Sequence, residues 1–252
     1  HVLGYVGRLS ERDLEKVEAA NYRGTTHYGK TGVEEAYEDA LHGRVGYQHV
    51  ETNAEGRTLR VLSREDPVPG ANLYLTIDAS LQAVSESAFK GENGALVAIE
   101  PATGDVLAFV SMPGFDPNAF VAGIDPKSYK ELLNSADRPL FNRALSGRYP
   151  PGSTVKPFLA LAGLEDEVNL SKKHIWCPGW YSLKGHTHRY RDWKKTGHGR
   201  VNLSDAIVQS CDVYFYELAH SLGIDRMHEF MVGFGFGALT GIDLNGESAG
   251  LM

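Results

Sequence analysis

Tyr149-Pro150-Pro151-Gly152-Ser153-Thr154-Val155-Lys156-Pro157 is the stretch on which the reading of this chain turns. Gly152 permits a tight turn into a helix, and Thr154–Leu164 mixes small and large apolar residues as a largely buried helix would. Ser153 falls at the N-terminal end of that helix. Ser153 and Lys156 stand i and i+3, so both side chains project from one face. A serine hydroxyl is a poor nucleophile until a base takes its proton. A lysine can be that base when burial disfavours its ammonium form. Main-chain N–H groups at the helix start would lie where an oxyanion forms. The same residues also spell a capped helix with an exposed lysine, and the spacing leaves both readings open.

Further along, Ser210-Cys211-Asp212 lies between two predicted helices. Positions 210 and 212 could point into one cleft and offer a hydroxyl and a polar anchor, or they could simply cap a helix. The surrounding helices are expected at Ser204–Gln209, at Val213–Leu222 closed by Gly223, and at Asp225–Val232. Upstream, Leu73–Ile77 reads as a strand, and Asp78 as the N-cap of a helix carrying Leu81, Val84 and Ala88. Ala95–Glu100 and Val106–Ser111 read as a buried hairpin around the turn Pro101–Asp105. Strands followed by clustered helices point to an α+β fold with a buried central helix.

The first 70 residues are polar and glycine-rich. They suggest a short helix at Glu11–Ala20, a stretch Val33–His42, and a hairpin from Gly46 to Leu62 around Asn53–Gly56. Asp66-Pro67-Val68-Pro69-Gly70 breaks the pattern and divides the chain into regions 1–70 and 71–252.

Composition narrows the classes. Twenty-five Lys and Arg against 32 Asp and Glu give a net charge of −7, so no basic surplus exists for nucleic acid. The longest apolar runs are short, for example Ala95–Ile99 and Phe158–Ala162. A membrane span needs about 20 residues. The chain opens at His1 without an initiator Met, and we expect it to be a piece of a longer protein.

S-x-x-K followed by S-x-D resembles the motif order of penicillin-binding proteins and serine β-lactamases. Arg143 to Pro157 resembles the nucleophile region of class B penicillin-binding proteins, as do Val97–Pro113 and Phe115-Asp116-Pro117-Asn118. Leu3–Arg8, Gly29–Glu35, Tyr37–Gly43 and Arg189–Lys195 resemble one branch, penicillin-binding protein 2 of the rod-elongation system. The resemblance implies part of an N-terminal pedestal domain followed by an incomplete transpeptidase domain, an antiparallel sheet with a helical cluster. It implies a D,D-transpeptidase that cross-links peptidoglycan and is trapped by β-lactams. Ser153 would attack the D-Ala-D-Ala carbonyl of a stem peptide. Lys156 would be the general base, Ser210 would relay a proton to the leaving amine, and Asp212 would hold the second motif. No cofactor is needed for that chemistry. The implied partners are a membrane glycan polymerase and rod-complex scaffold proteins. The implied location is the periplasm, with an inner-membrane anchor helix outside these residues.

One motif departs from the pattern. The family's K-[ST]-G follows the second motif, yet Lys30-Thr31-Gly32 and Lys195-Thr196-Gly197 both precede Ser210 and neither lies in a strand-like run. After Asp212 only Thr240-Gly241 occurs, with Leu239 in the lysine's place. We therefore expect that this stretch alone lacks one oxyanion donor and is impaired in catalysis.

Cys177, His186, His188, Asp192, His198 and Cys211 crowd one segment, with His174 ahead of them. Cys177, Asp192, His198 and Cys211 form the set expected to hold a structural zinc. It would tie the loop 177–198 to the second motif, with Cys211 facing away from the cleft. A Cys177–Cys211 disulfide and two unpaired buried thiols are the alternatives. His186 and His188 are expected to be exposed. Two other roles compete with the transpeptidase. A serine β-lactamase would need a deacylating base and would not need the first 70 residues. A non-catalytic interaction or β-lactam-binding module would keep its partners without Ser153.

Overall fold

The computed structural model describes residues 1–165 and 173–251. Two compact units emerge: His1–Gly147 with Gly241–Ser248, and Arg148–Thr240 with Ala249–Met252.

The first unit begins with β1 (Tyr5–Arg8), α1 (Glu11–Leu14), β2 (His27–Thr31), α2 (Gly32–Ala36) and α3 (Glu38–His42). β1 and β2 pair antiparallel. The helix expected over Glu11–Ala20 is a single turn, because turns take over from Glu15 onward. Val33–His42 divides at Tyr37, whose φ of −115° interrupts the helix. β3 (Tyr47–Thr52) and β4 (Thr58–Glu65) form the expected hairpin. Its turn is held by Asn53 Oδ1, which accepts from Glu55 N and Arg57 N at 3.1 and 2.9 Å. Every residue of both strands is exposed, including Leu59, Val61 and Leu62.

Asp78 caps α4 (Ala79–Ala88) as expected, accepting from Leu81 N at 2.9 Å. Leu73–Ile77 is not a strand. It touches the next hairpin through single bonds, from Thr76 Oγ1 to Val106 O and from Asp78 N to Leu107 O, without a ladder. β5 (Gly94–Ile99) and β6 (Val106–Met112) pair antiparallel. The hairpin is only half buried. Ala108–Ser111 of β6 are buried, whereas Val97 and Ile99 of β5 are exposed. The outer edge of β6 is closed by a side chain, since Gln82 exchanges two hydrogen bonds with the main chain of Phe109. α5 (Asn118–Val121), α6 (Pro126–Asn134) and α7 (Arg143–Ser146) complete the unit. Phe109, Val33, Leu145 and Leu244 form its core.

In the second unit a 3-10 turn, Gly152–Val155, leads into α8 (Lys156–Glu165). β7 (Ile175–Cys177), β8 (Trp180–Tyr181), β9 (Tyr190–Arg191) and β10 (Gly199–Val201) follow, pairing β7 with β10 and β8 with β9. Then come α9 (Leu203–Val208), α10 (Asp212–Leu222) and α11 (Ile224–Val232), close to the expected helices. Gly223, at φ +80°, ends α10 in a conformation that favours glycine. Tyr214 and Leu218 of α10 are fully buried among Ala160, Ala162, Val201 and Ala206. Gly163 of α8 lets the helices approach closely, since a Cβ there would lie 2.7 Å from Leu218 Cδ1. α8 is less buried than expected, with Leu161 and Leu164 exposed.

The sheets are thus five separate antiparallel pairs among the described residues. No helix among those residues is long and apolar enough to cross a membrane. Leu218→Ala should cost about 2–5 kcal/mol, the usual penalty for emptying a packed core position. Val208→Ala, on the exposed side of α9, should stay within about 0.5 kcal/mol. Urea melts of both variants check this, and equal losses would contradict the assigned core.

Candidate active site

Gly152 adopts φ +57°, which turns the chain so that Ser153 is exposed at the start of the helical segment. One turn on, Lys156 is buried to 7% exposure. An amine placed there needs polar neighbours, because an unpaired buried charge is costly. Among the described residues, the partners of its amine come from the turn between α9 and α10 and from the first residue of α10. Lys156 Nζ donates to Ser210 O at 2.9 Å, to Ser210 Oγ at 3.1 Å and to Asp212 Oδ1 at 2.6 Å. Ser210 Oγ lies 2.8 Å from Ser153 Oγ. Ser153, Ser210, Lys156 and Asp212 therefore form one continuous polar chain. Among the described residues, the hydrogen-bonded path from Ser153 to Lys156 runs through Ser210.

Ser210 makes that possible with an unusual backbone. Its φ of +52° lies in the left-handed region, which costs a non-glycine residue about 1–2 kcal/mol. Such strain persists only where the surroundings impose it, and it clusters at functional sites. The twist points Ser210 and Asp212 to one side and buries Cys211 completely on the other. That is the alternation expected from the sequence.

Behind the turn the second set of residues also converges. Ligand atoms of Cys177, Asp192, His198 and Cys211 all lie within 4.8 Å of one another. Cys177 Sγ is 3.6 Å from Asp192 Oδ2 and 3.6 Å from His198 Nδ1, and His198 Nδ1 is 3.5 Å from Asp192 Oδ1. Both thiols are free and buried. Burial pushes the Cys211 thiol up to about 12. Burial also tends to raise the Asp192 carboxyl, but hydrogen bonds from Lys194 N, Val213 N and Cys211, with His198 nearby, hold it below the usual carboxylate range. His186 and His188 are exposed, as expected.

Of the two K-T-G triplets, Lys195-Thr196-Gly197 lies in a turn. Lys30-Thr31 does sit on a strand, β2, contrary to expectation, but in the first unit, where Lys30 pairs with Asp13. Sequence reasoning assigned no role to Trp193. Its main-chain N–H donates to Asp212 Oδ2 at 3.1 Å. Main-chain donors leave no trace in residue type, so no sequence signal marks it.

Comparison with known proteins identifies the family. The family model described as "Penicillin binding protein transpeptidase domain" matches residues 94–252, and "Penicillin-binding Protein dimerisation domain" matches residues 1–75. The peptidoglycan D,D-transpeptidase MrdA of Acinetobacter baumannii is 51% identical over the whole chain, which spans 37% of that relative's length. A crystal structure of Pseudomonas aeruginosa PBP2 in complex with WCK 5153 superposes with a TM-score of 0.84 at 49% identity, covering all of this chain and 52% of that one. The Helicobacter pylori PBP2 in complex with MreC superposes at 0.90 with 36% identity, covering all of this chain and 47% of that one. The expected likeness to the PBP2 branch is borne out, and with it the α+β fold of a pedestal fragment and an incomplete transpeptidase domain. The chain belongs to the penicillin-binding protein transpeptidase family.

Proposed function

We propose that the protein is a peptidoglycan D,D-transpeptidase that works through an acyl-enzyme on Ser153. The observation that carries this is the unbroken chain Ser153 Oγ, Ser210 Oγ, Lys156 Nζ. With Lys156 unprotonated, the Ser153 proton passes to Ser210 and the Ser210 proton to Lys156. Ser153 Oγ then bonds to the carbonyl carbon of the penultimate D-Ala. The peptide C–N bond breaks, and the leaving D-Ala amine takes the proton back along the same chain. An amine from a neighbouring stem attacks the ester, gives up its own proton by that route, and returns Ser153 to its hydroxyl form. Asp212 keeps Lys156 within reach of Ser210. A β-lactam would acylate the same serine and leave slowly.

The 46–51% identity to proteins named D,D-transpeptidase supports this reading over a β-lactamase. We divide the chain near residue 70, in keeping with the family matches over 1–75 and 94–252. The first region would dock rod-complex scaffold proteins and a membrane glycan polymerase. A PBP2 relative in complex with MreC supports that role, as do the exposed apolar residues of β3 and β4. We place the protein in the periplasm, tethered to the inner membrane.

Cys177, Asp192, His198 and Cys211 would hold a structural zinc. Tetrahedral zinc with ligand bonds of about 2.0–2.3 Å sets its ligands about 3.3–3.8 Å apart. The 3.5 and 3.6 Å separations among Cys177, Asp192 and His198 fall in that window, and all four ligand atoms lie within 4.8 Å of one another. The metal would brace the loop before Trp193 against the second motif.

Two experiments test these assignments. Intact-mass spectrometry of the full-length protein with benzylpenicillin should show one covalent adduct that Ser153→Ala abolishes. An adduct persisting in the variant, or none in the parent, would overturn the assignment. A native mass spectrum should show one zinc per chain, lost in Cys177→Ser. A parent two hydrogens light would establish the disulfide instead.

A further inference from the structure

Trp193 is an exposed aromatic residue, 65% accessible, that nonetheless makes two directed bonds. Its main-chain N–H donates to Asp212 Oδ2 at 3.1 Å, and its indole Nε1–H donates to Gln209 O at 3.0 Å. The ring meets His198 edge-on at 5.5 Å. Gln209 and Asp212 bracket Ser210 and Cys211, so one residue grips the turn on both sides of the strained serine.

Each end needs such a partner. Gln209 follows the last turn of α9, where a carbonyl has no continuing helix to accept from. Asp212 already gives Oδ1 to Lys156, and its second oxygen fixes the carboxylate's rotation only if something donates to it. Free to relax, the left-handed Ser210 would swing Oγ away from both Ser153 and Lys156. The indole bond also explains how a mostly exposed ring can stay in one place.

We infer that Trp193 is a positioning residue for acylation: by anchoring Gln209 and Asp212 it holds Ser210 Oγ between the nucleophile and the lysine. This rests on the acyl-transfer reading above and adds a residue to it. Trp193 acts through the turn and takes no part in proton transfer.

Trp193→Phe keeps the main-chain donor and an aromatic ring against His198 but deletes the indole donor. Stopped-flow acylation by a fluorescent penicillin, run on full-length protein at equal metal content, separates the binding constant from the acylation rate constant. The rate constant should fall about tenfold, equivalent to about 1.4 kcal/mol. Binding should stay within about twofold and Tm should be nearly unchanged. Weaker binding with an unchanged rate constant would make Trp193 a substrate contact and overturn the inference, as would no change in either. Hydrogen exchange of the amides 209–213 needs no acylation. It should speed up about tenfold in the variant, and unchanged protection would also overturn the inference. A wild-type protein that is never acylated would overturn the acyl-transfer reading, and the exchange result would still decide whether Trp193 holds the turn.

Discussion

The burial of Lys156 is the constraint on which the second unit is organised. An amine at 7% exposure must be surrounded by acceptors, and among the described residues they come from the turn between α9 and α10 and the first residue of α10. That requirement brings α8 against α10, with Gly163 allowing the approach and Leu218 filling the contact. The apolar core and the polar chain are therefore built by the same pair of helices. Packing sets where Ser153 and Ser210 meet, and the pairing of Lys156 with Asp212 keeps the meeting point polar. Replacing one partner alone would leave the other buried without compensation, the costly direction for such pairs.

The turn has two faces with separate tasks. Ser210 and Asp212 look toward Ser153 and Lys156, while Cys211 looks back into the cluster with Cys177, Asp192 and His198. Asp192 joins the two faces, since its carboxylate accepts from Val213 N at 3.2 Å while the next residue, Trp193, donates to Asp212. The left-handed Ser210 is thus held from behind by the thiol and carboxylate cluster and from the side by Trp193. Ser153 and Lys156 sit where the 3-10 turn passes into α8 and Ser210 in the turn before α10, whereas Asp192 and Trp193, which bond to the start of α10, come from the segment 177–198.

Much of this was legible because it is local. Asp78 as an N-cap, the Asn53 turn of the first hairpin, Gly152 as a turn and Gly223 as a helix stop each depend on a few neighbouring residues. The two side-chain sets that converge were also picked out by residue type, Ser153, Lys156, Ser210 and Asp212 in one and Cys177, Asp192, His198 and Cys211 in the other. What failed was non-local. Leu73–Ile77 has a strand's composition but finds no ladder partner, and β5 has a buried strand's composition but exposes Val97 and Ile99. Burial depends on what packs on a segment, which composition does not state. The route from Ser153 to Lys156 through Ser210 was hidden for a related reason. It follows from the positive φ of Ser210, and nothing in a serine announces that conformation.

The central claim is that Ser210 and Lys156 act on Ser153 in series rather than in parallel. A double-mutant cycle on acylation by benzylpenicillin, with Ser210→Ala, Lys156→Met and the double variant, tests it most directly. A series path predicts that the double variant is acylated about as slowly as the slower single variant, because either change already breaks the path. Losses that multiply would show that the two groups reach Ser153 independently and would contradict the account.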